Sequence, residues 1–168
     1  MNFLHFFSLF AHRVYISFFY CEIMKIIASG TFDHLHDGHK HFLKEAFKRG
    51  FVMVGLCADT MVAEKKLSEK IYPYEKRKCD LIEYLTSEGY TLGKDFVIML
   101  IEDMYGFADD IEDIDAILVT PEVRENAEEI NTVRKAKGWN ELTIIEISFL
   151  KDDKGVISST RMRQSMAQ

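Results

Sequence analysis

The sequence predicts an α/β domain: a doubly wound, parallel five-stranded sheet with helices on both faces. Three observations predict it. Short apolar runs recur along the chain, and amphipathic helical patterns separate them. The runs are apolar throughout rather than alternating, as strands covered on both faces are. The 168 residues suit one domain, with no internal repeat, low-complexity stretch or linker.

The elements follow in order from Met24. Lys25–Ser29 reads as the first strand and Gly38–Arg49 as a helix, with Phe42, Leu43, Ala46 and Phe47 on one face and Gly50 as its stop. Phe51–Leu56 is a buried strand. Asp59 is placed to cap a short helix reaching about Glu64, and a basic loop, Lys65–Lys70, follows. Tyr74–Ser87 is a longer helix between Pro73 and Gly89. Phe96–Ile101 and Ala116–Val119 are the third and fourth strands. Thr120-Pro121 supplies an N-cap and a first-turn proline for a helix ending at Gly138. Leu142–Ile147 is the fifth strand, and Ser158-Ser159 caps a final helix, Thr160–Met166.

Composition narrows the function. Apolar residues make up 48% of the chain, enough for a core, and the net charge of −6 gives no electrostatic support for nucleic-acid binding. The acids concentrate between Ile101 and Asp115, which contains no Lys or Arg and reads as a solvated loop and helix face. The three cysteines, without a Cys-x-x-Cys pair, argue against a disulfide framework or zinc site and for a reducing, cytoplasmic setting.

Residues 1–23 differ from the rest: they are crowded with Phe and Tyr and carry only Arg13 and Glu22 as charges. His12-Arg13 divides them into runs shorter than the roughly 18–20 residues of a membrane span. They lack the basic start and cleavage site of a secretory signal and the arginines of a transit peptide. The favoured expectation is that translation begins at Met24, leaving residues 1–23 as an extension and residues 24–168 as the domain.

The run Gly30-Thr31-Phe32-Asp33-His34-Leu35-His36-Asp37-Gly38-His39 carries most of the chemistry. It lies at a strand-to-helix turn, where ligands bind in open α/β sheets. A helix start there also suits phosphate. Near the other end of the chain, Ser158, Ser159 and Thr160 are followed by Arg161 and Arg163, which reads as a phosphate site rather than a bare helix cap.

His36-Asp37-Gly38-His39 resembles the His-x-Gly-His motif of a nucleotidyltransferase superfamily with a Rossmann-like fold. Ile157-Ser158-Ser159-Thr160 and the arginines after it are similar to that superfamily's second element. The resemblance implies that His39 contacts the α-phosphate of ATP in the transition state and that His36 holds the nucleotide phosphates. It implies that Thr31 orients the incoming phosphate, that Gly30, Phe32 and Gly38 border the nucleotide, and that Ser158, Ser159, Thr160 and Arg161 hold the β- and γ-phosphates. Lys65 is the candidate bridging lysine, with Lys66 adjacent and not distinguished from it. Mg²⁺ is expected to accompany ATP. His34 and His41 are expected to be bystanders.

The middle of the chain narrows the resemblance. Ile71-Tyr72-Pro73-Tyr74-Glu75-Lys76-Arg77, and Asp115 to Glu122 followed by Asn131, Arg134 and Gly138, resemble the archaeal and eukaryotic type of phosphopantetheine adenylyltransferase. That family joins ATP and 4′-phosphopantetheine into dephospho-coenzyme A and pyrophosphate. No nucleic-acid, membrane or protein partner is implied. Arg124 and Arg134 are the candidates to bind the acceptor. Ser29 stands where relatives often carry glycine. Nicotinamide mononucleotide adenylyltransferases share the second element. Glycerol-phosphate and choline-phosphate cytidylyltransferases usually show a different one. A nucleotide-binding protein without catalysis is the remaining alternative.

Overall fold

The computed structural model describes residues 23–165; the expected 1–23 extension, apart from Ile23, lies outside the described residues. Strands β1 (Met24–Gly30), β2 (Gly50–Cys57), β3 (Phe96–Ile101), β4 (Ala116–Val119) and β5 (Thr143–Glu146) form one parallel sheet in the order β3-β2-β1-β4-β5. The order reverses direction between β1 and β4, so the crevice beyond their carboxyl ends is the place for a ligand.

The period of two along β1 sorts side chains between two cores. Ile26 and Ala28 join the core under helices α1 (Asp37–Phe47) and α3 (Tyr74–Ser87), with Leu43, Leu81 and Leu85. Ile27 joins the opposite core with Val62 of α2 (Asp59–Val62) and Ala127 and Ile130 of α4 (Arg124–Ala136). Two-faced burial explains why the strands read as continuous apolar runs.

Several boundaries differ from expectation for local reasons. Gly50 opens β2 instead of only stopping α1. Ala58, not Asp59, holds the N-cap position of α2, and the Asp59 carboxylate turns to Arg77 at 2.8 Å. Thr120 makes no capping hydrogen bond. Pro121–Val123 winds one 3₁₀ turn before α4, which ends ahead of Gly138 at φ 78°, in the left-handed region glycine tolerates. The acidic segment after β3 is loop without helix, and it buries Phe107, Ala108 and Ile114. A two-stranded hairpin, β6 (Lys151–Asp152) with β7 (Gly155–Val156), precedes α5 (Ser159–Ser165). There the Ser158 hydroxyl accepts the Arg161 N–H at 3.4 Å, the expected cap.

Candidate active site

The turn from β1 into α1 is wound tightly. Phe32 (φ 47°) and His34 (φ 45°) both occupy the left-handed region, which costs a non-glycine residue roughly 1–2 kcal/mol each. Surrounding contacts hold them there. Phe32 is buried, with its ring edge-on to His39 at 5.3 Å. His34 donates from Nε2 to the Lys70 carbonyl at 2.9 Å and lies 4.2 Å from the Tyr72 ring, away from the phosphate turn. Between them Asp33 is fully buried. One of its oxygens accepts the Tyr72 N–H at 3.0 Å and the other accepts Arg163 at 3.0 Å. This ion pair joins the turn to α5 across the site, and Arg163 also donates to the Lys66 carbonyl and the Thr160 hydroxyl.

His36 occupies the N-cap of α1, where its Nδ1 accepts the His39 N–H at 3.4 Å. Its proton therefore resides on Nε2. Ser159 Oγ lies 3.3 Å from His36 Nε2, from His39 Nε2 and from the Asp33 carbonyl. A carbonyl only accepts, so the serine proton goes to Asp33, and both imidazoles then point Nε2–H donors at one oxygen. The two rings stack at 3.8 Å. Burial lowers the His36 pKa to about 4, against the opposing charges of Asp37 and Asp33. Burial, then His36 and Lys65, holds His39 well below the ordinary histidine value. Both rings are neutral donors at neutral pH. His39 Nδ1 is buried and has no partner among the described residues, as suits a neutral ring.

Gly38 has a steric reason beyond ligand access. A Cβ there would lie 2.8 Å from the Ile157 carbonyl and 3.0 Å from the His36 ring. Glycine lets the start of α1 pass directly beneath the strand that leads into Ser158.

Two cavities open at this end of the sheet. The first, about 320 Å³, is lined by Gly30, Thr31 and Phe32 from the turn, by His36, Gly38 and His39 from α1, and by Ser158, Ser159 and Thr160 before and in α5. Its far wall holds Ile147 to Leu150, and His41 also borders it. The second, about 280 Å³, is mostly apolar and lies between the loop after β3 (Asp103 to Ala108) and α4 (Asn126, Ala127, Ile130). Ser29, Gly30, Thr31 and Lys65 line both. The Ser29 hydroxyl fills space above Gly55, where a Cβ would come within 2.3 Å of it.

At the junction Lys65 Nζ donates to Thr31 Oγ1 at 2.7 Å. Lys66 lines neither cavity. Arg77, which the sequence did not single out as a site residue, is completely buried behind the junction. It donates to the carbonyls of Tyr72 and Thr31 at 2.8 Å, to that of Cys57 at 2.9 Å and to Asp59 at 2.8 Å, fixing the ends of β1 and β2 together.

Three expected ligands stand elsewhere. Arg161 lines neither cavity: it pairs with Asp152 and donates to the Gly155 and Val156 carbonyls, fastening the hairpin to α5, while Arg163 faces the first cavity in its stead. Arg124 pairs on the surface with Glu128 and Glu146. Arg134 is wholly buried with four of its five N–H donors on backbone carbonyls, and it lines neither cavity. Arg77 and Arg134 both sit on their helix's core stripe: Arg77 with Leu81 and Leu85, Arg134 with Ala127, Ile130 and Asn131. That spacing was the available signal.

Residues 27–165 match a family model described as cytidylyltransferase-like. The phosphopantetheine adenylyltransferase of Thermococcus gammatolerans is 40% identical over 144 residues, covering 84% of this chain and 89% of that protein. The phosphopantetheine adenylyltransferase of Methanothermobacter thermautotrophicus is 39% identical over 141 residues, covering 83% and 82%. The crystal structure of a protein of unknown function from Archaeoglobus fulgidus superposes with a TM-score of 0.64 at 29% identity, covering 74% of this chain and 89% of that one. On these matches the chain belongs to the phosphopantetheine adenylyltransferase family.

Proposed function

We propose that this protein transfers the adenylyl group of ATP to 4′-phosphopantetheine, giving dephospho-coenzyme A and pyrophosphate. The observation that carries the site assignment is the meeting of two unlike cavities at Thr31 and Lys65. One presents imidazole N–H groups and hydroxyls, suited to a triphosphate. The other is apolar and suited to an extended pantetheine arm whose phosphate reaches the junction.

The chemistry asks for alignment more than for acid or base. A phosphomonoester has a second pKa of about 6 and is largely a dianion at neutral pH. One of its oxygens attacks the α-phosphorus of ATP, and the bond to the oxygen bridging the α- and β-phosphorus atoms breaks. The electron pair leaves with pyrophosphate, and no protein group needs to take a proton. In this reading the nucleotide's phosphate oxygen takes the position between His36 and His39 that Ser159 Oγ occupies. The Nε2–H donors then stabilise charge as it develops. Lys65 and Thr31 align the acceptor phosphate. Ser158, Ser159 and Thr160 hold the β- and γ-phosphates, with Arg163 behind them.

Among the described residues no group of three or more His, Cys, Asp or Glu side chains is placed to hold a metal ion. The Mg²⁺ of the ATP substrate is assigned to phosphate oxygens and water. No helix among the described residues is long and apolar enough to cross a membrane. Among the described residues Cys57 and Cys79 are free thiols, which supports a cytoplasmic setting.

Pyrophosphate release with ATP, Mg²⁺ and 4′-phosphopantetheine tests the reading. Parallel reactions offer nicotinamide mononucleotide or, with CTP, glycerol phosphate. Release with phosphopantetheine alone is expected. Release only with another acceptor overturns the substrate while leaving the nucleotide site in place.

A further inference from the structure

Arg134 points to a positioning role that a fully buried guanidinium rarely has reason to take. Among the described residues no carboxylate pairs with it. Its donors go instead to four backbone carbonyls: Asn140 at 2.9 Å, Ala108 at 2.6 Å, Ile111 at 2.8 Å and Glu112 at 2.7 Å. The guanidinium carbon lies 5.4 Å from the centre of the Trp139 ring. Burying a charge without an ion pair is unfavourable, even with the Glu112 carboxylate acting on it from a distance, so charge-assisted bonds of this number are needed to hold it.

Three of the four carbonyls belong to Ala108–Glu112, the second half of the loop between β3 and β4. The first half, Asp103 to Phe107, is one wall of the second cavity. The facing wall is Asn126, Ala127 and Ile130, on the same helix as Arg134. The loop carries seven acids and no Lys or Arg between Ile101 and Asp115. It has no helix or strand of its own to hold its shape. Lys137, one turn beyond Arg134, adds a second tie to the carbonyl and carboxylate of Asp109.

We propose that Arg134 is a positioning residue for acceptor binding: by joining the loop to α4 it holds both walls of the second cavity at the spacing an extended, amide-containing arm requires. This rests on the reading that the second cavity receives the acceptor. Arg134 touches no substrate. Lysine cannot replace it, because one ammonium cannot serve four carbonyls spread around a planar fork.

The test compares Arg134→Lys with Asn131→Ala in the full chain. Asn131 is the control because it is buried on the same stripe but bonds Leu142, at 2.7 and 2.9 Å, away from the loop. Arg134→Lys is expected to raise the KM for 4′-phosphopantetheine about tenfold while the KM for ATP changes less than about twofold. Hydrogen exchange is expected to quicken in 103–112 and not in the sheet. Asn131→Ala is expected to lower stability without splitting the two KM values. Equal effects on both substrates, or the same split in Asn131→Ala, overturn the proposal. If Arg134→Lys does not fold, Lys137→Ala carries the test: a rise in acceptor KM alone supports the proposal, and no change overturns it. Wild-type protein that gives no turnover with phosphopantetheine overturns the functional reading. Exchange in 103–112 then decides the clamp by itself, unchanged protection in Arg134→Lys ending it.

Discussion

The state of two histidines is fixed by what surrounds them. His36 gives its Nδ1 to a backbone N–H and its Nε2–H to Ser159, and burial keeps it neutral down to about pH 4. His39 is held neutral the same way. In the proposed reading, His39→Ala removes one of the two donors that meet the transferring phosphate. It is expected to lower kcat about a hundredfold or more, with ATP still bound, because a preorganised donor acts mainly on the transition state. Turnover within a few-fold of wild type would end that role. The same shifts predict a pH profile. Turnover is expected to be flat from pH 7 to 8 and to fall below about pH 6, where the acceptor phosphate takes a proton. Stability follows a different course. Unfolded histidine titrates near 6.5 and folded His36 near 4, so the unfolded chain binds more protons in between, and stability falls as pH drops through that window. A melting temperature that rises on acidification from pH 6.5 to 4.5 contradicts the assigned burial. At this scale the sequence displayed the histidines and hydroxyls plainly. It put Arg124, Arg134 and Arg161 at the ligand, where the structure pairs them elsewhere, because an arginine read alone looks like a phosphate ligand. Its position on a helix's apolar stripe, as for Arg77 and Arg134, is what marks it as buried.

Elements bring those residues together at closest approach where α1 begins under Ile157. Gly38→Ala tests that crossing. Its Cβ would meet a backbone oxygen at 2.8 Å, which cannot rotate away as a side chain does. The substitution is expected to destabilise the fold by about 1–3 kcal/mol, typical of overpacking, and to reduce turnover by shifting the His36 ring, which the same Cβ meets at 3.0 Å. Unchanged melting and activity would show that the crossing relaxes freely. Strands and long helices were legible because their apolar runs and stripes span many residues: Phe96–Ile101 and Tyr74–Ser87 match residue for residue. The β6–β7 hairpin was not legible. Two-residue strands hold no period, and Lys151, Asp152, Asp153 and Lys154 are all charged. The Arg161–Asp152 pair that fastens it forms across nine residues and depends on the turn itself.

The whole molecule places this machinery at one crevice because the strand order reverses between β1 and β4. That crevice requires β1 to be paired on both sides, and it is: Met24 faces Gly50 at the start of β2, and Ile26 to Ala28 face Ala116 to Leu118 of β4. Every core residue of both clusters lies at or after Ile26. The Lys25 N–H is already bonded to the Asp115 carboxylate at 2.7 Å, which seats the first strand from its own second residue. Ile23, by contrast, is 69% exposed. A chain beginning at Met24 therefore keeps all of the strand pairing just described, and it is expected to unfold cooperatively at the same temperature as the full chain and to release pyrophosphate at the same rate. Thermal melts and the phosphopantetheine assay on both forms check this. A truncated protein that precipitates, melts broadly or loses turnover would show that residues 1–23 contribute to the fold, and would make the bottom of β1, rather than the crevice, the part of the sheet that depends on them.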